Sequence, residues 1–202
     1  MLTLFAAVAV GYMLGAIPSA EWAARLKGRR IFEVGSGNMG AMNTARNLGF
    51  ALGVAVLVAD VAKGAAATAA ALAMASVTGL APEGRLAVAL AAGIAAVVGH
   101  AWSVVVGWRG GKGLATILGV SLPLYPLGGL AGLGLLVALV LLTRRAHLAA
   151  VLTLLAYPWL TALVALRTGE PIETAFALFT GTLPLVVVSL LKHRPQRAPA
   201  AG

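Results

Sequence analysis

The stretch Leu114-Ala115-Thr116-Ile117-Leu118-Gly119-Val120-Ser121-Leu122-Pro123-Leu124-Tyr125-Pro126-Leu127 continues without a charge to Leu142, and its reading decides how the chain is built. Read as one helix, it gives six crossings of a bilayer with both termini on one side. Read with a break at Pro123–Pro126, it gives seven crossings with the termini on opposite sides. The rest of the chain supplies the means to choose.

Of 202 residues, 60% are hydrophobic and 10% charged, with a mean hydropathy of +0.96. A soluble domain typically carries about 25% charged residues. Apolar runs cover Leu2–Ala24, Ala51–Val77, Leu86–Val106, Leu127–Leu142, His147–Leu166 and Thr174–Leu191, with the short Leu114–Leu122 among them. They lack the period-2 alternation of a membrane β-barrel. Only helices or closed barrels satisfy their backbone in lipid, so an all-α, polytopic helical bundle is expected. Closely spaced Gly and Ala let such helices approach tightly. The apolar start (Met1 to Ala24) has no basic leader and reads as a first span rather than a cleaved signal peptide. One integral membrane domain over residues 1–202 is expected.

Positive charge settles the count. With seven spans, Arg25, Lys27, Arg29, Arg30, Arg46, Arg109, Lys112, Arg144, Arg145, Lys192, Arg194 and Arg197 share one side, against Arg85 and Arg167 on the other. That is twelve against two; with six spans the tally falls to eight against six. Cytoplasmic loops carry the excess of Lys and Arg. Seven helices, the fourth short, with the N-terminus outside and the C-terminus cytoplasmic, are therefore expected. The formal charge of +9 is a membrane signature here, not a nucleic-acid one. With no cysteine, disulfides, thiolate metal sites and a cysteine nucleophile are excluded.

Three polar stretches fall on the cytoplasmic face. The first, Glu33-Val34-Gly35-Ser36-Gly37-Asn38-Met39-Gly40-Ala41-Met42-Asn43-Thr44-Ala45-Arg46-Asn47, mixes glycines with hydroxyl, amide and guanidinium groups. Its backbone N–H groups suit an anion nest ahead of a helix start. The second joins Gly99-His100 to Gly110-Gly111-Lys112-Gly113-Leu114-Ala115-Thr116. Its glycines and lysine before a helix start fit a phosphate cradle or a plain membrane-surface turn, and Val106 and Gly113 stand where a Walker A loop needs Gly and Ser or Thr. The third, Lys192-His193-Arg194-Pro195-Gln196-Arg197, is a basic anchor for lipid headgroups or a wall of the same site. Within the second span, Asp60 and Lys63 share a helix face and can pair; a charge inside a bilayer is a functional signal or a bond between helices. Glu21 reads as structural and His147 as a cap or interface residue.

These stretches, together with Gly15-Ala16-Ile17-Pro18-Ser19, resemble the PlsY family of bacterial acyl-phosphate:glycerol-3-phosphate acyltransferases over nearly the whole chain. The chain departs from the family pattern at Met42 (usually Thr), Ser103 (usually Pro) and Gln196 (usually Asn). The resemblance implies attack by the hydroxyl of glycerol 3-phosphate on a long-chain acyl phosphate, giving 1-acyl-glycerol 3-phosphate (lysophosphatidic acid) and inorganic phosphate, the first acylation of phospholipid synthesis. It implies no cofactor and no metal, a monomer, and a multi-pass protein of the bacterial inner membrane working from the cytoplasmic face.

On that reading Ser36, Arg46 and Lys112 hold phosphate groups, and His100 and His193 bond or orient the attacking hydroxyl. Gly35, Gly37 and Gly40 belong to the substrate-binding first loop, with Asn38 and Asn43 shaping it or bonding glycerol hydroxyls. Gly110, Gly111, Gly113 and Thr116 cradle the acyl phosphate, and Gln196 keeps an amide near it. An apolar groove between helices takes the acyl tail. The competing reading is a transporter for a small phosphorylated anion. It needs a polar path through the bilayer and is weakened by the lack of an internal repeat. A thioester-dependent acyltransferase is disfavoured by the absence of a His-x4-Asp motif, and a passive scaffold gives the glycine loops no purpose.

Overall fold

The computed structural model describes residues 1–193, so Arg194, Gln196 and Arg197 lie outside the described residues. Within them the chain forms α1 (Leu2–Gly15), α2 (Ser19–Arg25), α3 (Ala41–Leu48), α4 (Phe50–Val77), α5 (Pro82–Ala101), α6 (Leu114–Leu124), α7 (Pro126–Thr143), α8 (Ala146–Arg167) and α9 (Ile172–Lys192). Six stretches are long and apolar enough to cross a membrane: α1 with α2, then α4, α5, α7, α8 and α9.

The expected single run Leu2–Ala24 is broken between Gly15 and Ser19, where Pro18 has no N–H to continue the helix. The carbonyls freed there are bonded by distant side chains. Ser103 Oγ donates to Ala16 O at 2.6 Å, and Lys63 Nζ donates to Ile17 O at 3.0 Å. Tyr12 Oη, just before the break, donates to Trp102 O at 2.9 Å. Ser103, one of the departures from the family pattern, thus carries a buried bond of its own. An unsatisfied carbonyl in hydrocarbon costs several kcal/mol, so these bonds make the break tolerable.

α6 is separate from α7. Tyr125 is extended, with φ −154° and ψ 85°, and Pro126 opens α7 at a first-turn position that tolerates its missing donor. The chain doubles back there: Gly129 of α7 packs beside Ser121 and Leu118 of α6. With 11 residues, α6 is about 16 Å long, against a hydrocarbon core of about 30 Å. It is embedded in protein. Val97 of α5, Ile117 and Val120 of α6, Leu154 and Tyr157 of α8, and Leu185 and Val186 of α9 form one buried cluster around it.

Its other face meets α4 with almost no side chain between. A Cβ on Gly64 would overlap Thr116 O, and one on Gly119 would overlap Val61 O. Such reciprocal glycines let two backbones approach where lipid gives no hydrophobic drive. Gly119→Val should therefore cost about 1–3 kcal/mol through overpacking, read as a lowered melting temperature of detergent-purified protein. Gly134→Ala, in open space on α7, should leave the melting temperature unchanged or slightly raised.

Candidate active site

Among the described residues the bundle holds a large, partly open cavity of about 920 Å³. Its polar end is lined by Ser36, Asn38, Arg46 and Asn47 of the first loop and α3, Lys112 before α6, Arg145 and His147 at the start of α8, and His193 after α9. The rest is an apolar arm between α4, α6, α7 and α8, lined by residues such as Leu57, Leu118, Leu133 and Leu154. Arg46 and Lys112, far apart in sequence, share this space.

The first loop is held by one amide. Asn43 Nδ2 donates to Val34 O at 2.9 Å and to Asn38 O at 3.0 Å. Its Oδ1 accepts from the N–H of Ser36 and from Asn47 Nδ2, each at 3.1 Å. Two donors and two acceptor sites are all an amide offers. Of the two roles expected of Asn43, shaping the loop or bonding glycerol, these four bonds serve the first. The loop closes tightly on this amide: Gly35 has φ 56°, and a Cβ there would overlap the Asn43 and Asn47 amides.

The second loop is clamped on three sides. Ser189 Oγ donates to Lys112 O at 2.5 Å, tying it to α9. Ser103 N donates to Arg109 O at 3.0 Å, closing the turn. The Arg109 guanidinium lies 3.9 Å from the Phe32 ring centroid, joining this loop to the first by a cation–π contact. Gly111 presses on the His100 ring and the Met39 carbonyl, where a Cβ has no room.

Three helices begin at the cavity. Gly40-Ala41-Met42 opens α3, Gly113-Leu114-Ala115 opens α6 and Arg145-Ala146-His147 opens α8, and all nine residues line it. None of the three N-caps supplies a side-chain hydrogen bond. The first turn of a helix carries N–H groups with no intrahelical partner and roughly half a positive charge. Together with Arg46, Lys112 and Arg145, they make this end of the cavity strongly anion-attracting.

Two groups at the polar end have lowered proton affinity. Burial without a carboxylate partner pushes the Lys112 ammonium below its usual range. His193 is lowered from the ordinary 6.5 first by burial and then by the nearby Lys112 and His147; only its bond to the Ser189 carbonyl opposes this. His193 Nδ1–H donates to Ser189 O at 2.9 Å, which leaves Nε2 with a free lone pair when the ring is neutral. His147 stacks on it at 5.4 Å between centroids.

Asp60 and Lys63 form a buried pair, 2.8 Å apart, at the inner edge of the cavity. Asp60 also accepts from Ser19 Oγ at 2.9 Å, and His100 Nδ1 lies 3.6 Å away without a hydrogen-bond partner among the described residues. Glu21 is structural as expected, accepting from the Ile31 N–H and from Arg25 Nε, each at 3.0 Å.

Of the residues expected at the site, Ser36, Asn38, Gly40, Asn43, Arg46, His100, Lys112, Gly113 and His193 line the cavity. Gly35, Gly37, Gly110, Gly111 and Thr116 do not line it. The glycines stand behind its walls, and Thr116 is buried against α4. Gln196 lies outside the described residues. Sequence reasoning missed Arg145 and His147 as lining residues: Arg145 was read only as a topology marker and His147 only as a cap or interface residue. It also missed that Asn43 saturates itself, which no spacing reveals.

Removing one partner of a buried ion pair leaves an uncompensated charge and costs about 3–5 kcal/mol. Lys63→Met should therefore lower the melting temperature more than the double variant Asp60→Asn with Lys63→Met. A double-mutant cycle on purified protein checks the sign of the coupling.

A family model described as glycerol-3-phosphate acyltransferase matches residues 5–198. The chain is 36% identical over 195 residues to the glycerol-3-phosphate acyltransferase of Geobacter sulfurreducens, covering 96% of this chain and 92% of that one. It is 38% identical over 167 residues to that of Chlorobaculum parvum, covering 81% and 72%. Among solved structures it is similar to PlsY, an integral membrane glycerol 3-phosphate acyltransferase. The TM-score is 0.76 at 31% identity for the glycerol 3-phosphate form and 0.74 at 30% for the lysophosphatidic acid form, each over 96% of this chain and 89% of that one. The likeness takes in both glycine loops, the embedded short helix and the last span: this chain belongs to the glycerol-3-phosphate acyltransferase family and is an integral membrane protein.

Proposed function

We propose that the protein transfers an acyl group from acyl phosphate to glycerol 3-phosphate, forming lysophosphatidic acid and inorganic phosphate. One observation carries this reading: three uncapped helix beginnings and the cations Arg46, Lys112 and Arg145 share one cavity with an apolar arm. Two phosphorylated molecules fit the polar end, and the tail of one fits the arm. A single anion needs neither so much positive potential nor an apolar extension.

The chemistry follows from that placement. The glycerol hydroxyl oxygen forms a bond to the acyl carbonyl carbon. The bond from that carbon to the phosphate oxygen then breaks, and phosphate leaves with the electron pair. Arg46 and Ser36, with the first turn of α3, hold the glycerol 3-phosphate. Lys112 and the first turn of α6 hold the acyl phosphate and stabilise the charge on its departing oxygen. Burial lowers the proton affinity of Lys112, and an anion beside it favours its charged form. His193 Nε2 accepts the hydroxyl's hydrogen bond, and the proton passes to it or to a phosphate oxygen of the substrates. Holding both reactants side by side supplies much of the rate without a covalent intermediate.

The same reading sets the topology. α6 and α7 count as two crossings, with the N-terminus outside and the cavity's polar end facing the cytoplasm of a bacterial inner membrane. Support comes from the reversal at Tyr125, which returns Arg145 to the end where Lys112 stands, and from the twelve-to-two distribution of basic residues. A membrane-impermeant thiol reagent tests it cleanly, because the chain has no cysteine of its own. Cysteines placed at Arg144 and Glu170 should label from opposite sides, Arg144 with Arg29 and Glu170 with Glu83. The six-crossing alternative pairs Arg144 with Glu83 instead.

Purified protein in lipid with glycerol 3-phosphate, offered acyl phosphate, acyl-coenzyme A and acyl carrier protein thioester in turn, should form lysophosphatidic acid from acyl phosphate alone. Arg46→Ala and Lys112→Ala should each reduce turnover by at least about a hundredfold while leaving the melting temperature near that of the parent. Near-normal turnover of Lys112→Ala overturns the two-anion site. Because His193 titrates below 6.5, kcat/KM should fall on acidification through a step below that value, as the ring gains a proton and loses its acceptor. That step should vanish in His193→Gln; a step that persists belongs to a substrate phosphate.

A further inference from the structure

The apolar arm of the cavity stops at one side chain. α8 lines it with Ala150, Thr153, Leu154 and Tyr157 and with nothing beyond. From His147 at the polar end to Tyr157 is ten residues, about 15 Å along the helix axis. On the far side of the Tyr157 ring lies a second, much smaller void of about 10 Å³, bounded by residues including Leu90, Leu124, Leu178 and Leu185. Tyr157 borders both spaces, so its ring is the partition between them.

The ring is fixed in that position. Its hydroxyl hydrogen-bonds Ser121 of α6, whose Oγ in turn donates to Ile117 O at 2.8 Å. A hydroxyl inside an apolar bundle is costly unless bonded, so this pairing holds the ring across the arm rather than letting it swing aside. One side edge of the ring lies on Gly132 of α7, where a Cβ would crowd the ring carbons. The void behind is about the smallest space that takes a water molecule and holds no chain as it stands. Removing the ring would merge it with the arm.

We infer that Tyr157 is the end wall of the acyl groove and sets the longest acyl chain the enzyme accepts. The inference rests on the proposed reading of this cavity as the acyl-donor site, and it adds a specificity-determining residue remote from the reacting atoms. Chain beyond the ring has nowhere to go inside the bundle; shorter chains leave the deep end unfilled.

The test is a competition assay. Purified protein receives glycerol 3-phosphate and an equimolar series of saturated acyl phosphates from decanoyl to eicosanoyl, and mass spectrometry reads the lysophosphatidic acids formed. Tyr157→Ala should raise the ratio of the longest products to the shortest by about tenfold, the discrimination a snug apolar pocket makes over a methylene or so. Tyr157→Phe keeps the ring and should keep the parent's cut-off. Thr153→Phe fills the arm one turn nearer the polar end and should move the cut-off to shorter chains. An active Tyr157→Ala with the parent's profile overturns the inference alone, as does an active Thr153→Phe with no shortening should Tyr157→Ala fail to fold. A parent protein that makes no lysophosphatidic acid from any acyl phosphate overturns the functional reading, and the inference with it.

Discussion

A helix that begins inside a membrane protein exposes N–H groups that neither its own turn nor lipid can satisfy. This chain gathers three such beginnings, those of α3, α6 and α8, around one cavity and gives none of them a capping side chain. Such N–H groups are well satisfied by anions. Much of the remaining architecture keeps those three starts in register. Asn43 fixes the loop before α3, Ser189 anchors the loop before α6, and the stacked pair His147 and His193 joins the start of α8 to the end of α9.

The short α6 is the means by which a helix start reaches that place. Its proximity to α4 through Gly64 and Gly119, and its enclosure by α5, α8 and α9, let 11 residues stand where a lipid-facing helix would need nearly twice as many. The break at Pro18 works in the same economy. It frees carbonyls that Ser103 and Lys63 then bond, and Lys63 is in turn held by Asp60 at the cavity's inner edge. Backbone irregularity in the bundle is thus confined to places where protein polar groups meet it. The buried charges of α4 serve the break.

Hydropathy and charge together made the helical membrane class, the six long apolar stretches and the separation of Leu114–Leu122 from the helix after it legible before any coordinates, although the helix runs on through Pro123 to Leu124. Those properties follow from solvent: an apolar run of this length has few alternatives, and basic residues mark loop ends. The kink at Gly15–Ser19 was not foreseen because Pro18 sits inside an otherwise uninterrupted apolar run. At the site, residue types with an evident chemical use, such as Arg46, Lys112 and His193, were found in the cavity. Arg145 and His147 were missed because their role depends on which helix starts meet, a tertiary fact. Glycines such as Gly110 and Gly111, expected to approach a ligand, stand behind the cavity, whereas Asn43 takes the loop-shaping one of its two expected roles. Tyr157 had no local signal at all, since a tyrosine in an apolar helix reads as core.

The central claim is that both phosphorylated reactants occupy the cavity at once, with no acyl group ever passing to the protein. Initial rates measured over a grid of acyl phosphate and glycerol 3-phosphate concentrations test it most directly. The account predicts double-reciprocal lines that intersect, the pattern of a ternary complex. Parallel lines, the mark of a covalent acyl-enzyme and alternating occupancy, would contradict it.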